Sequence, residues 1–98
     1  MVTDLSPTFK KSLLIKAHLL KPIVRLGKKG LTDTVNQEIH AALEAHELVK
    51  IKISGSTPDD RMALYNQLAA LHHALQIQII GHIIVLYRKS AKPRTKPA

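Results

Sequence analysis

The chain has no cysteine and no tryptophan, and its only aromatic residues are Phe9, Tyr65 and Tyr87. Without cysteine there can be no disulfide, no thiolate catalysis and no cysteine-based zinc site. Three scattered rings cannot line a sheet with stacking platforms, which sets aside recognition of nucleic acid by stacked bases. No run of 18 apolar residues occurs, so no helix long enough to span a bilayer is expected. Asp4, Ser6 and Pro7 precede Lys10-Lys11 with no apolar segment and cleavage site after them. The reading is therefore a cytoplasmic chain without a secretory signal.

What remains is aliphatic and basic. Apolar residues make up 45% of the 98 positions, enough for one packed core of Leu, Ile, Val and Ala. Lys and Arg total 15 against 7 Asp and Glu, giving a net charge of +8. Residues 1–30 hold seven basic residues and one acid, net +6; residues 31–87 hold three and six, net −3; residues 88–98 hold five and none, net +5. Basic charge at the two ends of an acidic middle points to a polyanionic partner, nucleic acid or an anionic membrane, although a basic surface kept for solubility would look similar. The expected organisation is one domain over 1–88 and a disordered basic tail over 89–98, where apolar content vanishes.

Local signals give the order of elements. Ser6-Pro7 is a helix-start pair, Leu13, Leu14 and Ala17 form a short apolar stripe, and Pro22 ends the segment. Ile23 to Leu26 reads as a strand. Thr32 caps a second helix with Asp33 in its first turn, and Val35, Ile39, Ala42, Leu43 and His46 recur on one face. Leu48 to Ile53 alternates as a half-exposed strand, with Val49, Ile51 and Ile53 on one side and Leu48, Lys50 and Lys52 on the open side. Thr57-Pro58-Asp59-Asp60 starts a third helix, in which Leu64, Leu68, Leu71 and Leu75 define the apolar stripe. Gln76 to Ile80 and Ile83 to Tyr87 flank Gly81-His82, a two-residue turn suited to type II′. The sum is an α/β domain of order α-β-α-β-α-β-β, two-layered, with a mixed four-stranded sheet; helical crossovers favour parallel strands one to three and the hairpin adds an antiparallel one.

Between the first strand and the second helix stands Gly27-Lys28-Lys29-Gly30. Two glycines allow a tight turn and close approach to a phosphate, two lysines supply charge, and the following helix aims its N-terminal amides the same way. A purely steric turn would use the same glycines.

Taken together, the residues resemble the CRM domain family (chloroplast RNA splicing and ribosome maturation) in its stand-alone bacterial YhbY-type form. The pattern comprises Ala17-His18, Leu20-Lys21-Pro22, Val24, Leu26-Gly27, Gly30-Leu31-Thr32, Val35, Glu38-Ile39 and Ala42-Leu43. It continues through His46 to Ile53, then Ile80-Gly81 and Val85 to Arg88, and so covers about residues 6–88. His82 departs from it where the family favours Lys, and 54–79 matches mainly in hydrophobic spacing. The resemblance implies an RNA-binding fold similar to the C-terminal domain of translation initiation factor three, with the GxxG loop on RNA. Bacterial members associate with the precursor of the large ribosomal subunit, whereas plant members serve group II intron splicing; a single domain fits the bacterial role.

On this basis the RNA-binding candidates are Gly27, Lys28, Lys29 and Gly30, widened by Lys10, Lys11, Lys16, Lys21 and Arg25. Lys50, Lys52, Arg88 and Lys89 form a second rank. The expected partner is structured ribosomal RNA of a large-subunit precursor, bound by a monomer that assists ribosome assembly, with no membrane, cofactor or metal. Tyr87 is expected to pack at a strand end. Six histidines lack ligand spacing: His72-His73 diverge on a helix, His40 and His46 do not share a face, and His18 and His46 suit helix ends. No nucleophile has a partner, so no enzyme is expected. Three alternatives stay open: a membrane-surface or protein-interaction module using the tail, binding to introns or other structured RNA, and duplex DNA binding, for which no helix-turn-helix is visible.

Overall fold

A computed structural model describes residues 7–27 and 30–89. It contains α1 (Pro7–Leu19), β1 (Val24–Leu26), α2 (Asp33–His46), β2 (Leu48–Ile53), α3 (Pro58–His72), β3 (Leu75–Ile80) and β4 (Ile83–Tyr87). The four strands form one sheet in the order β1-β2-β4-β3. β1 pairs with β2 in parallel, and β4 is antiparallel to both β2 and β3. The three strands reached by helical crossovers thus run the same way, as expected. β2 and β3 are nevertheless not neighbours, because the hairpin folds β4 back between them.

The local chemistry that starts the helices behaves as read. Thr32 Oγ1 accepts from the Val35 N–H at 3.2 Å, and Thr57 Oγ1 from the Asp60 N–H at 3.1 Å. Each cap satisfies an amide that has no partner inside its helix. Pro58 occupies the first turn of α3, where its missing N–H removes nothing. Pro7 stands at the start of α1, while the proposed cap Ser6 lies outside the described residues, as do Lys28, Lys29 and residues 90–98.

Alternation in the strands divides the sheet into two unequal faces. Val24, Leu26, Val49, Ile51, Ile53, Ile84 and Leu86 point to one side and pack with Ile39, Leu43, Tyr65 and Leu68 of α2 and α3. Removing one of these fully buried side chains by substitution to Ala costs about 2–5 kcal/mol. The other side packs Leu48, Ile77 and Val85 against Leu13 and Ala17 of α1. The expected layering of helices on a sheet therefore gains a partial third layer. α1 lies across the sheet end where Leu48, Tyr87 and Leu75 are in register. Phe9 meets Tyr87 there edge-on, with centroids 5.5 Å apart, so Tyr87 is the strand-end packing residue foreseen.

Four local expectations need correction. Leu48 is buried rather than open, because α1 covers its face, and Lys50 is only partly exposed. On α3 the buried stripe is Tyr65, Leu68 and His72, with Leu71 50% exposed. The helix stops before Leu75 can join it: His73 turns left-handed at φ 53°, and the Ala74 N–H reaches back to the Ala69 carbonyl at 2.9 Å. Leu75 instead opens β3, whose register slips between Gln76 and Gln78, so simple alternation fails there. His46 is exposed and not part of the core face of α2.

Candidate nucleic-acid interface

Parallel pairing of Leu26 with Ile53 brings the ends of β1 and β2 together. Around this end stand Gly27 and Gly30, the caps of α2 and α3, and the Gly81-His82 hairpin, whose His82 carbonyl accepts from the Ile53 N–H at 2.8 Å. The Gly30 N–H donates to the Gly27 carbonyl at 3.0 Å, closing the four-residue step as a turn. The two glycines differ. Gly30 has φ +71°, a left-handed conformation that glycine adopts without strain. Gly27 has no such requirement, and a Cβ on either would meet nothing within 4 Å. Two residues beyond Gly30, Thr32 begins α2, whose first amides point toward this end.

At the hairpin, Gly81 has φ +57° while His82 is absent from the left-handed region, the sign pattern a type II′ turn requires. His82 Nδ1 lies 3.3 Å from Arg61 Nη1 and 3.2 Å from the Ile53 carbonyl. It accepts from the first or donates to the second according to tautomer. Arg61 also donates to the Ser56 carbonyl at 2.8 Å.

The basic candidates separate into groups. Arg25 is exposed on β1, in register with partly exposed Lys52, and both face the α1 side of the sheet beyond the part α1 covers. Lys10, Lys11 and Lys16 are exposed on α1. Lys11 sits about 140° around the helix from the middle of the buried Leu13–Ala17 stripe, on the side of α1 turned away from the sheet. Lys21 is exposed after α1, and Lys50 Nζ donates to the Leu20 carbonyl at 3.1 Å. Lys89 is exposed at the sheet end remote from the turn.

Arg88 has an internal task. Its Nη2 meets Glu44 Oε2 at 2.9 Å and His40 Nδ1 at 3.0 Å, and its Nη1 donates to the His72 carbonyl at 3.0 Å. The ion pair is mostly buried, at 15% and 18% exposure. Beside it His72, 7% exposed, places Nε2 3.0 Å from Asn36 Oδ1. That oxygen only accepts, so Nε2 carries the proton. Burial, first, and then the Arg88 charge hold the His72 pKa below its ordinary value. Burial alone pushes Tyr65 up to about 12. Sequence reading missed this network because its members lie 16 to 48 positions apart. Only the presence of Arg88 just after an apolar strand hinted at an anchored cation.

Among the described residues no group of three His, Asp or Glu side chains could hold a metal ion, and no helix is long and apolar enough to cross a membrane. Residues 5–88 match the model of the CRS1/YhbY (CRM) domain. The chain belongs to the CRS1/YhbY (CRM) domain family. It is 42% identical over 93 residues to an RNA-binding protein of Haemophilus influenzae, covering 95% of this chain and 94% of that one. A probable RNA-binding protein of Bacillus subtilis is 37% identical over 81 residues, 83% and 84% of the two chains. The solution structure of a Staphylococcus aureus protein, presented as a candidate for RNA binding, superposes with a TM-score of 0.78 at 31% identity. That match covers 93% of this CRM chain and 95% of the other.

Proposed function

We propose that this CRM protein binds structured RNA without catalysing a reaction, and that its target is ribosomal RNA in a precursor of the large subunit, where it assists assembly. The carrying observation is the Gly27–Gly30 turn, closed by its own hydrogen bond, with space for a Cβ at both glycines, and leading into the capped start of α2. Names of full-length relatives as RNA-binding proteins support the choice of RNA.

In this reading loop amides and the α2 dipole meet backbone phosphates, Lys28 and Lys29 supply charge, and Arg25 and Lys52 extend the contact along the sheet. Backbone clamping by a GxxG loop is also the mode of KH domains. Such contacts fix the position of RNA without reading its bases, and they weaken steeply with salt. Arg88 is left out of the interface, since its guanidinium already holds Glu44 and the end of α3. The protein acts as a cytoplasmic monomer, and the tail, Lys89 to Lys96, adds affinity without selectivity.

The test is co-sedimentation of wild type and a Lys28→Glu/Lys29→Glu variant with ribosomal particles from assembling cells at two salt concentrations. Wild-type association with large-subunit precursors, lost in the variant, is the expected result. Equal sedimentation of both proteins would place binding in the tail or in non-specific charge. Absence from all particles would reject the ribosomal reading.

A further inference from the structure

At the opposite end of β1 from the glycine turn, the sheet edge and the end of α1 enclose a cleft of about 410 Å³. Its walls include Leu19, Leu20 and Ile23, which are 82%, 39% and 54% exposed. These three side chains are apolar surface left exposed at the end of α1 and in the segment that leads into β1. Pro22 disfavours helix at the residue before it, so the chain after Leu20 leaves the axis of α1 and runs extended into β1. Around the cleft stand Lys16, Lys21, Lys50 and His46, and none of the described residues lining it is acidic.

An apolar floor with a cationic rim suits a ligand that is itself an apolar plate on an anionic chain. We infer that this cleft takes one unpaired nucleotide of the bound RNA, its base against Leu19, Leu20 and Ile23 and its flanking phosphates on Lys16 and Lys21. The inference rests on the RNA-binding reading and adds to it a site for a base.

Three observations favour a nucleotide over a peptide. The cleft is near the small end of ligand cavities, roughly 300–1,000 Å³, a size suited to a single base. β1 is an edge strand of only three residues with a proline two positions before it, so it offers a peptide little ladder to extend. The cleft is also aligned with the proposed backbone contact. Ile23 and Gly27 lie about 13 Å apart along an extended strand, a span that a few nucleotides cover. Exposed Arg25 stands between them. Phosphates would pass from the glycine turn over Arg25 to Lys21, delivering a base to the cleft. Lys50 keeps two of its three donors for this purpose after donating to the Leu20 carbonyl. With no Phe, Tyr or Trp lining the cleft, selection follows mainly from burial of a base.

The test uses the full chain with labelled Leu and Ile methyls, oligoadenylate of six nucleotides, and the same hexamer without bases. Shifts at Leu19, Leu20 and Ile23 are expected with the first probe and not with the second. A Leu19→Ser/Ile23→Thr variant, altered at exposed positions and unchanged in charge, should bind oligoadenylate about fivefold more weakly, in keeping with lost apolar burial. Its salt dependence should equal that of wild type. Unmoved cleft methyls with unchanged variant affinity would overturn the cleft while leaving RNA binding intact. Failure of both oligoadenylate and folded ribosomal RNA fragments to bind would overturn both. Shifts produced by a Leu/Asp peptide but not by oligoadenylate would make the cleft a protein site and reject the inference.

Discussion

Where β1 and β2 finish, Gly30, Thr32 and Thr57 shape a turn and the capped starts of α2 and α3. Where β4 finishes, Arg88, Glu44, His40, His72 and Asn36 satisfy one another beneath the ends of α2 and α3. Both ends are polar, and both hold cations close in sequence to strand termini. The first leaves Arg25 exposed; the second fixes Arg88 among partners. The contrast teaches that net charge says little about binding until internal partners are subtracted. A guanidinium held by a carboxylate and a carbonyl stabilises the fold and has few donors left for phosphate.

The contrast can be broken most strongly at the turn. Reversing Lys28 and Lys29 to Glu should lower RNA affinity by about 100-fold at low salt and flatten its salt dependence, since phosphate contacts set that slope. Thermal unfolding should hardly change. Loss of native circular dichroism in this variant would show the loop to be structural instead.

Arg88→Met should do the reverse. Glu44 and the His72 carbonyl lose their partner, and stability in urea should fall by about 2 kcal/mol, below the figure for fully buried pairs because some exposure remains. RNA affinity measured below the unfolding transition should stay within about twofold, a change near 0.4 kcal/mol. A large loss of affinity with unchanged stability would return Arg88 to the interface.

A finer division separates the two glycines. Gly30→Ala forces a side chain into φ +71° and should cost about 1 kcal/mol of stability. Gly27→Ala should leave urea stability unchanged, since neither backbone angle nor space opposes it. Weaker RNA binding by Gly27→Ala alone would then report close approach of the ligand backbone. Equal destabilisation by both substitutions would make the step an ordinary turn.

The smallest effect is one of pH, confined to the Arg88 end. The His72 pKa is lowered in the folded chain, so the unfolded chain binds more protons as pH falls. Its share of stability is complete above the ordinary value near 6.5 and is lost as pH drops from there through the native pKa. An NMR titration of the His72 ring should give a midpoint below 6.5, moving upward in Arg88→Met because the second cause of the shift is gone. A midpoint unaffected by that substitution would leave burial, with the smaller effects of His40 and His73, as the cause.

Much of this was written into the chain locally. Capping needs only a hydroxyl three residues before an amide, so Thr32 and Thr57 announce α2 and α3 unaided. Strand periodicity likewise identified Val49, Ile51 and Ile53 as core, and Gly81 signalled the hairpin. The Gly27–Gly30 step was also visible, because its chemistry is contained in four consecutive residues. Leu75 was misread because a helical stripe looks the same until a left-handed residue, here His73, ends the helix.

What the sequence by itself determined, then, is whatever depends on neighbours within about one turn: element order, caps, the glycine turn and the aliphatic core. Tertiary structure alone decided the insertion of β4 between β2 and β3, the seat of α1 across one sheet end, the internal fate of Arg88, and the cleft beside Ile23. Each joins residues distant in the chain, and their meeting follows from which apolar faces can be buried together, a property of the whole packed molecule.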